Sequence, residues 1–236
     1  MGEQASHLLF ETNSDICLNV SSNHFVATLP PPPQGDLYQC AIFLHEELNK
    51  AQVPYYFCGG FACINVGMTA RTTSDIDIAV PNHHGYNTLL GILSQPPFIQ
   101  DSTGTLPKDS YYFYVESKDN FVEVDGIIAG FMAFPSIDDA TIVQVGKPPG
   151  MQLNFLEPAG LLRLKLSGWA NQTRRTGPKR AGDMSDITSI RDLLISNEVK
   201  MDLKGLKSDM ANGLRDWVRE FKDLQKWQML DKNFKG

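Results

Sequence analysis

With 236 residues, 42% of them hydrophobic and 20% charged, the chain has the composition of a soluble globular protein with a core of its own. Its net charge of -6 disfavours a general nucleic-acid coat protein, because the field of the whole molecule repels polyanions. The four cysteines, Cys17, Cys40, Cys58 and Cys63, form no CxxC pair and are too scattered for a disulfide framework or a zinc knuckle, so free thiols in a reducing compartment are expected.

No apolar run reaches the roughly 18 residues needed to span a bilayer, and the first residues lack the basic and apolar regions of a signal peptide. A cytoplasmic protein without a transmembrane segment is therefore expected. The start MGEQAS matches the myristoylation pattern at Gly2 and Ser6, but matches this short arise mostly by chance.

Residues 1–35 show no clear period and end in LPPPPQGD, which reads as an N-terminal extension closed by a stiff proline-rich turn. From Asp36, a suitable N-cap, the residues Leu37, Cys40, Ala41, Phe43, Leu44 and Leu48 recur at helical spacing to about Lys50. VPYYFCGG then reads as a short buried strand ending at two glycines, FACINVG as a short helix and SDIDIAV as a second strand. Residues 84–94 read as a helix started from Asn82 or His83.

YYFYVES and FVEVDGIIAG, separated by a turn at 118–120, read as a β-hairpin, and TIVQVG and MQLNFLE as further strands. After Pro158 the spacing predicts helices over 158–169, 183–195, 202–210 and 213–230. In the last of these Leu214, Trp217, Phe221, Leu224 and Trp227 form a core stripe. The basic segment ANQTRRTGPKRAG, 170–182, reads as a loop. The expected fold class is α/β (α+β): a small mixed sheet flanked by helices, over residues 36–157, followed by a helical region at 158–236.

Within SDIDIAV a period of two puts Asp75 and Asp77 on one face and Ile76, Ile78 and Val80 on the other. FVEVDGII repeats the arrangement with Glu123 and Asp125 opposite Val122 and Val124. Two such strands in one sheet bring three or four carboxylates together, and two like charges about 4 Å apart repel by roughly 4 kcal/mol at an effective dielectric near 20. A bound cation relieves that cost. Oxygen-only ligation favours Mg²⁺ or Mn²⁺, which complete their shells with water and substrate phosphates, and so points to a nucleoside triphosphate such as ATP. Gly59 and Gly60, at a strand-to-helix turn, let the backbone approach a phosphate and aim helix N-terminal amides at it. Asp183 and Asp186 fit a helix N-cap and its N3 partner, and His83 and His84 read as helix-start residues rather than ligands.

FCGGFACINVGMTARTTSDIDIAV followed by VEVDGI resembles the signature of the nucleotidyltransferase superfamily: Gly-Gly, a spacer, Asp-x-Asp on a strand and a third acid on a neighbouring strand. Fourteen residues separate Gly60 from Asp75, slightly more than is commonest and similar to the small antibiotic-modifying members. LLRLKLSG, 161–168, resembles the LxxKLxA motif of the minimal and abortive-infection-toxin branches. RTGPKRAGDMSDI resembles their final RxxxKDxxD motif, with Arg175 and Lys179 correctly spaced but three residues inserted before Asp183.

The resemblance implies that Asp75, Asp77 and Asp125 hold the metal and carry the chemistry, with Glu123 the alternative third acid. It also implies that Gly59, Gly60, Arg71, Ser74, Lys165, Arg175 and Lys179 hold the nucleotide. The implied reaction passes NMP from an NTP to a hydroxyl on an unidentified acceptor, a small molecule or protein being favoured, and releases pyrophosphate. The alternative is a catalytically silent protein of the same fold that binds a nucleotide or a partner.

Overall fold

A computed structural model describes residues 34–67, 72–100, 110–115, 120–147, 151–171 and 178–236, and these belong to one compact unit. Residues 1–33, with the prolines of the predicted turn and Cys17, Arg71, the tip of the predicted hairpin turn and Arg175 lie outside the described residues; Gln34 and Gly35, read from the sequence as the end of the extension, are helical.

The elements in chain order are α1 (Gln34–Lys50), β1 (Tyr56–Cys58), α2 (Gly59–Asn65), β2 (Asp75–Val80), α3 (His83–Leu93), β3 (Phe98–Gln100), β4 (Tyr111–Val115) and β5 (Asn120–Ile128). They continue as β6 (Ile142–Lys147), β7 (Met151–Leu156), α4 (Pro158–Ala170), α5 (Pro178–Ser196), α6 (Ser208–Phe221) and α7 (Leu224–Leu230). The strands form one seven-stranded mixed sheet in the order β3-β4-β5-β2-β1-β7-β6. β2 runs parallel to β5, and β1 parallel to β7; the other neighbouring pairs are antiparallel. The fold is thus the α/β class expected, with β4 and β5 forming the expected hairpin.

The apolar alternation decides which face of the sheet is covered. Ile76, Ile78, Val80, Val122 and Val124 are buried on one side. There α3 lies so close that a side chain at Gly126 would meet Leu89 and Tyr86. On the same side Phe43 of α1 meets Phe98 and Phe113 edge-on or tilted at 5.6 and 6.0 Å between ring centroids. The helical spacing predicted for α1 is the spacing of its buried apolar residues, Leu37, Cys40, Ala41, Leu44 and Leu48, but the helix begins at Gln34, so Asp36 is buried in its first turn rather than forming its N-cap. Asn82 caps α3, its side chain accepting from the Gly85 amide at 3.0 Å.

The C-terminal helices differ from the sequence reading in three places. The helix expected at 183–195 begins at Pro178, because proline suits a first turn that needs no amide donor. Asp183 and Asp186 therefore lie inside α5 rather than at its cap. Residues 202–207 are not helical: the Asp202 carboxylate accepts from the amides of Lys204 and Gly205 at 3.0 and 2.9 Å and holds a turn instead.

The helix expected at 213–230 breaks at Lys222, whose φ of 52° is left-handed. Asp223 supplies the reason. Its carboxylate accepts from Trp217 Nε1 at 2.9 Å and Trp227 Nε1 at 3.1 Å and pairs with the buried Arg191 of α5. Three donors fix the chain reversal, and Trp217 and Trp227 remain core residues on two helices instead of one. The short β3 carried no sequence signal.

At the crossing of α4 and α6 a side chain on Gly213 would come within 1.8 Å of the Leu166 carbonyl oxygen. Gly213→Ala should therefore lower the unfolding free energy by about 2–3 kcal/mol, because backbone cannot yield as a side-chain tip can. Gly91→Ala, on an exposed face of α3 with nothing within 4 Å of the added methyl, should raise it by about 0.5 kcal/mol. Denaturant titration of both variants checks the pair.

Candidate functional site

The site begins with strand register. Parallel pairing of β2 and β5 sets Asp75 beside Glu123 and Asp77 beside Asp125. Partner residues on neighbouring strands share a face and have backbones about 4.8 Å apart, so the four acidic residues lie on the sheet face opposite α1 and α3. Asp75, Asp77 and Glu123 are partly buried, and Asp125 is the most exposed of the four.

Three of the four carboxylates have a named local contact. The Thr73 hydroxyl donates to Asp75 Oδ1. The Ser110 hydroxyl donates to Glu123 Oε1 at 2.8 Å, and the Tyr112 hydroxyl reaches the same oxygen at 3.5 Å. Asp77 lies against the turn from β1 into α2: a methyl at Gly59, where φ is +59°, would fall 1.6 Å from Asp77 Oδ2. Only glycine tolerates both that backbone conformation and that contact. Gly60 follows, buried in the first turn of α2. The Ser74 carbonyl accepts from the Glu123 amide at 3.4 Å, while the residue itself is exposed.

The electrostatics of this face fall most heavily on Asp125. Partial desolvation raises its pKa above the ordinary carboxylate value, and the charges of Glu123 and Asp75 raise it further, against the opposing pull of Lys179. Glu123, one of the two candidates for the third acid, is thus engaged by Ser110 and Tyr112, whereas Asp125 faces outward beside Asp77.

Lys165 of α4 is largely but not fully buried and is paired with two buried carboxylates of α5, Asp183 Oδ1 at 3.2 Å and Asp186 Oδ2 at 2.8 Å. Burial lowers its pKa, but Asp186, Cys63 and Asp183 more than offset this, so it ends above the ordinary lysine value and stays charged. Its charge reaches Cys58, which places it near the β1–α2 turn. The sequence reading treated Lys165 and the two aspartates separately; helix packing makes them one ion cluster. Lys179, in the first turn of α5, is exposed. Ser110 and Tyr112 were not foreseen. Their only signal is an alternation with Glu123 that needs the β4–β5 register to be visible.

Among the described residues no three His, Cys, Asp or Glu side chains converge as a ready-made metal cage. The donor set nonetheless fits a hard divalent ion, since Mg²⁺ takes one or two protein carboxylates and fills its shell with water and phosphate oxygens. Burial, followed by the Asp77 charge, pushes the Cys58 thiol well up, so it is not a ready thiolate ligand. A cavity of about 520 Å³ between α4 and α6, lined in part by Ser167, Asn171, Asp209 and Asn212, includes none of the four carboxylates. No helix among the described residues is long and apolar enough to cross a membrane.

No family model and no curated protein matches the chain. Solved structures do. An antigenic nucleotidyltransferase-like protein from Paracoccidioides brasiliensis superposes with a TM-score of 0.65 at 18% identity, over 87% of this chain and 100% of that one. ANT(2")-Ia in complex with adenylyl-2"-tobramycin superposes at 0.49 with 13% identity, over 77% of this chain and 98% of that one, a likeness too slight to carry an argument. That first likeness concerns the fold alone: the chain shares the fold of that nucleotidyltransferase-like protein.

Proposed function

We propose that the protein is a nucleotidyltransferase that passes NMP from an NTP to a hydroxyl acceptor and releases pyrophosphate. The observation that carries this reading is the β2–β5 register, which sets Asp77 beside Asp125 and Asp75 beside Glu123 on one open face of the sheet. Residues 36–157 would form the catalytic core and 158–236 would complete the nucleotide cleft, with 1–35 as an extension.

Asp75, Asp77 and Asp125 would hold the divalent ion, Mg²⁺ or Mn²⁺. When bound, the ion neutralises the triphosphate and stabilises charge on the transferring phosphoryl group. The protein's own residues supply the rest. The turn at Gly59 and Gly60 admits the phosphates to within backbone distance. Asp125, made more basic by desolvation and by its acidic neighbours, takes the proton of the acceptor hydroxyl. The acceptor oxygen then bonds to the α-phosphorus as the bond to the pyrophosphate oxygen breaks. Lys179 offsets the charge that develops on the pyrophosphate, with Ser74 as a further donor, while Lys165, expected from the sequence to join them, is taken up by Asp183 and Asp186. Arg71 and Arg175, which lie outside the described residues, would help to offset the same charge.

The acceptor is favoured to be a small molecule or a protein, and the reaction is expected where the protein is expected, in the cytoplasm. Incubation with each of the four α-labelled NTPs, Mg²⁺ and a cell extract identifies the base and the acceptor together. Asp77→Ala should reduce label transfer by about a thousandfold or more, corresponding to roughly 4 kcal/mol of lost transition-state stabilisation. Unchanged transfer in that variant contradicts the mechanism, and metal-dependent NTP binding by a wild type that transfers no label favours the silent binder.

Lys165→Met would leave Asp183 and Asp186 buried without their cation. The variant should lose about 3–5 kcal/mol of unfolding free energy in denaturant titration, a loss that an exposed phosphate-binding lysine would not show.

A further inference from the structure

Two hydroxyls reach the carboxylate face from the β4 side, those of Ser110, just ahead of the strand, and Tyr112 within it. Both residues are buried, at 9% and 7% exposure, so their hydrogen bonds meet little competition from water. The Ser110 hydroxyl donates to Glu123 Oε1 at 2.8 Å, and the Tyr112 hydroxyl donates to the same oxygen over a looser 3.5 Å. Asp75, Asp77 and Asp125 are each one methylene shorter than Glu123. Among the described residues neither hydroxyl bonds to any of the three.

The sheet order gives those bonds a direction. β5 lies between β4 and β2, with Tyr112 the partner of Glu123 on one side and Asp75 its partner on the other. One step beyond the Tyr111–Val124 pair, the same antiparallel register sets Ser110 beside Asp125, yet the Ser110 proton goes to Glu123. The longer side chain is therefore drawn across toward β4, away from the strand that carries Asp75 and Asp77. Asp125, beside Asp77 on β2, is left to that strand.

We propose that Ser110 and Tyr112 are positioning residues that set which ion the site prefers: by holding Glu123 toward β4 they keep a fourth carboxylate out of the coordination shell and so favour Mg²⁺ over Ca²⁺. Mg²⁺ demands a near-ideal octahedron at about 2.0–2.1 Å, takes few carboxylates and keeps much of its water. Ca²⁺ accepts about six to eight oxygens at roughly 2.3–2.6 Å in a flexible shell. A released Glu123 would add its oxygens to those of Asp75, Asp77 and Asp125, which suits the larger ion. This inference rests on the proposed function for those three ligands, and it acts through the outer contacts that orient a carboxylate rather than through the ligands themselves.

The probes are Mg²⁺ and Ca²⁺ alone, titrated calorimetrically, and the readout is the ratio of their dissociation constants. Both ions are divalent, so a general change of charge at the face largely cancels in the ratio, whereas a change in coordination does not. Ser110→Ala combined with Tyr112→Phe removes both hydroxyls without altering charge, and should shift the ratio about tenfold toward Ca²⁺. Ser110→Ala alone, which loses the shorter bond, should shift it in part, and decides the matter if the double variant does not fold. Adding Glu123→Gln to the double variant should return the ratio to the wild-type value, because the freed carboxylate is then gone. An unchanged ratio without the hydroxyls, or a shift that survives Glu123→Gln, overturns the proposal. If the wild type binds neither ion, the metal site of the proposed function fails, and the positioning role is decided by a crystal structure of the double variant. A Glu123 carboxylate swung toward Asp75 supports the role, and one still directed at β4 overturns it.

Discussion

The register between β2 and β5 constrains everything else in this molecule. Both strands alternate, and one face of each is apolar and buried under α1 and α3. A slip of one residue would turn Ile76, Ile78 and Val80 to solvent and drive Asp75 and Asp77 into the core, which no compensating contact could repay. Burial of the apolar face therefore holds the acidic residues of the two strands side by side. Like charges held on neighbouring strands repel, so keeping these carboxylates ionised side by side costs free energy. Hydroxyl donors at Thr73, Ser110 and Tyr112 relieve part of that cost, and a divalent cation bound with a polyphosphate would relieve much more.

The helices after β7 answer the same charge problem from the other side. Lys165 is neutralised within the protein by Asp183 and Asp186, so it fixes α5 against α4 while its field still reaches the β1–α2 turn. Asp223 then gathers Trp217, Trp227 and Arg191 and ends α6 where the sequence suggests a continuous helix.

Local periodicity made the first half of the fold legible. The alternation of Asp75, Asp77, Glu123 and Asp125 against valine and isoleucine is a property of short stretches of chain, and so are the spacing of α1 and the Asn82 cap. What the sequence did not disclose depends on contacts between distant segments. Asp183 and Asp186 look like a cap and its partner because their true counter-ion, Lys165, lies 18 residues away. The break at Lys222 depends on Arg191, 32 residues from Asp223. Ser110 and Tyr112 joined the site only through antiparallel pairing with β5. Gly59 illustrates both cases: its place in a turn was readable, while its closest constraint is the carboxylate of Asp77.

The most direct measurement is diffraction from crystals grown with Mn²⁺ and an NTP analogue whose α–β bridge cannot be cleaved, with the metal located by its anomalous signal. The account predicts a peak bonded to carboxylate oxygens of Asp75 and Asp77, at about 2.1–2.2 Å, and shared with the triphosphate. A nucleotide bound elsewhere, or bound at this face with no metal touching either aspartate, would contradict it.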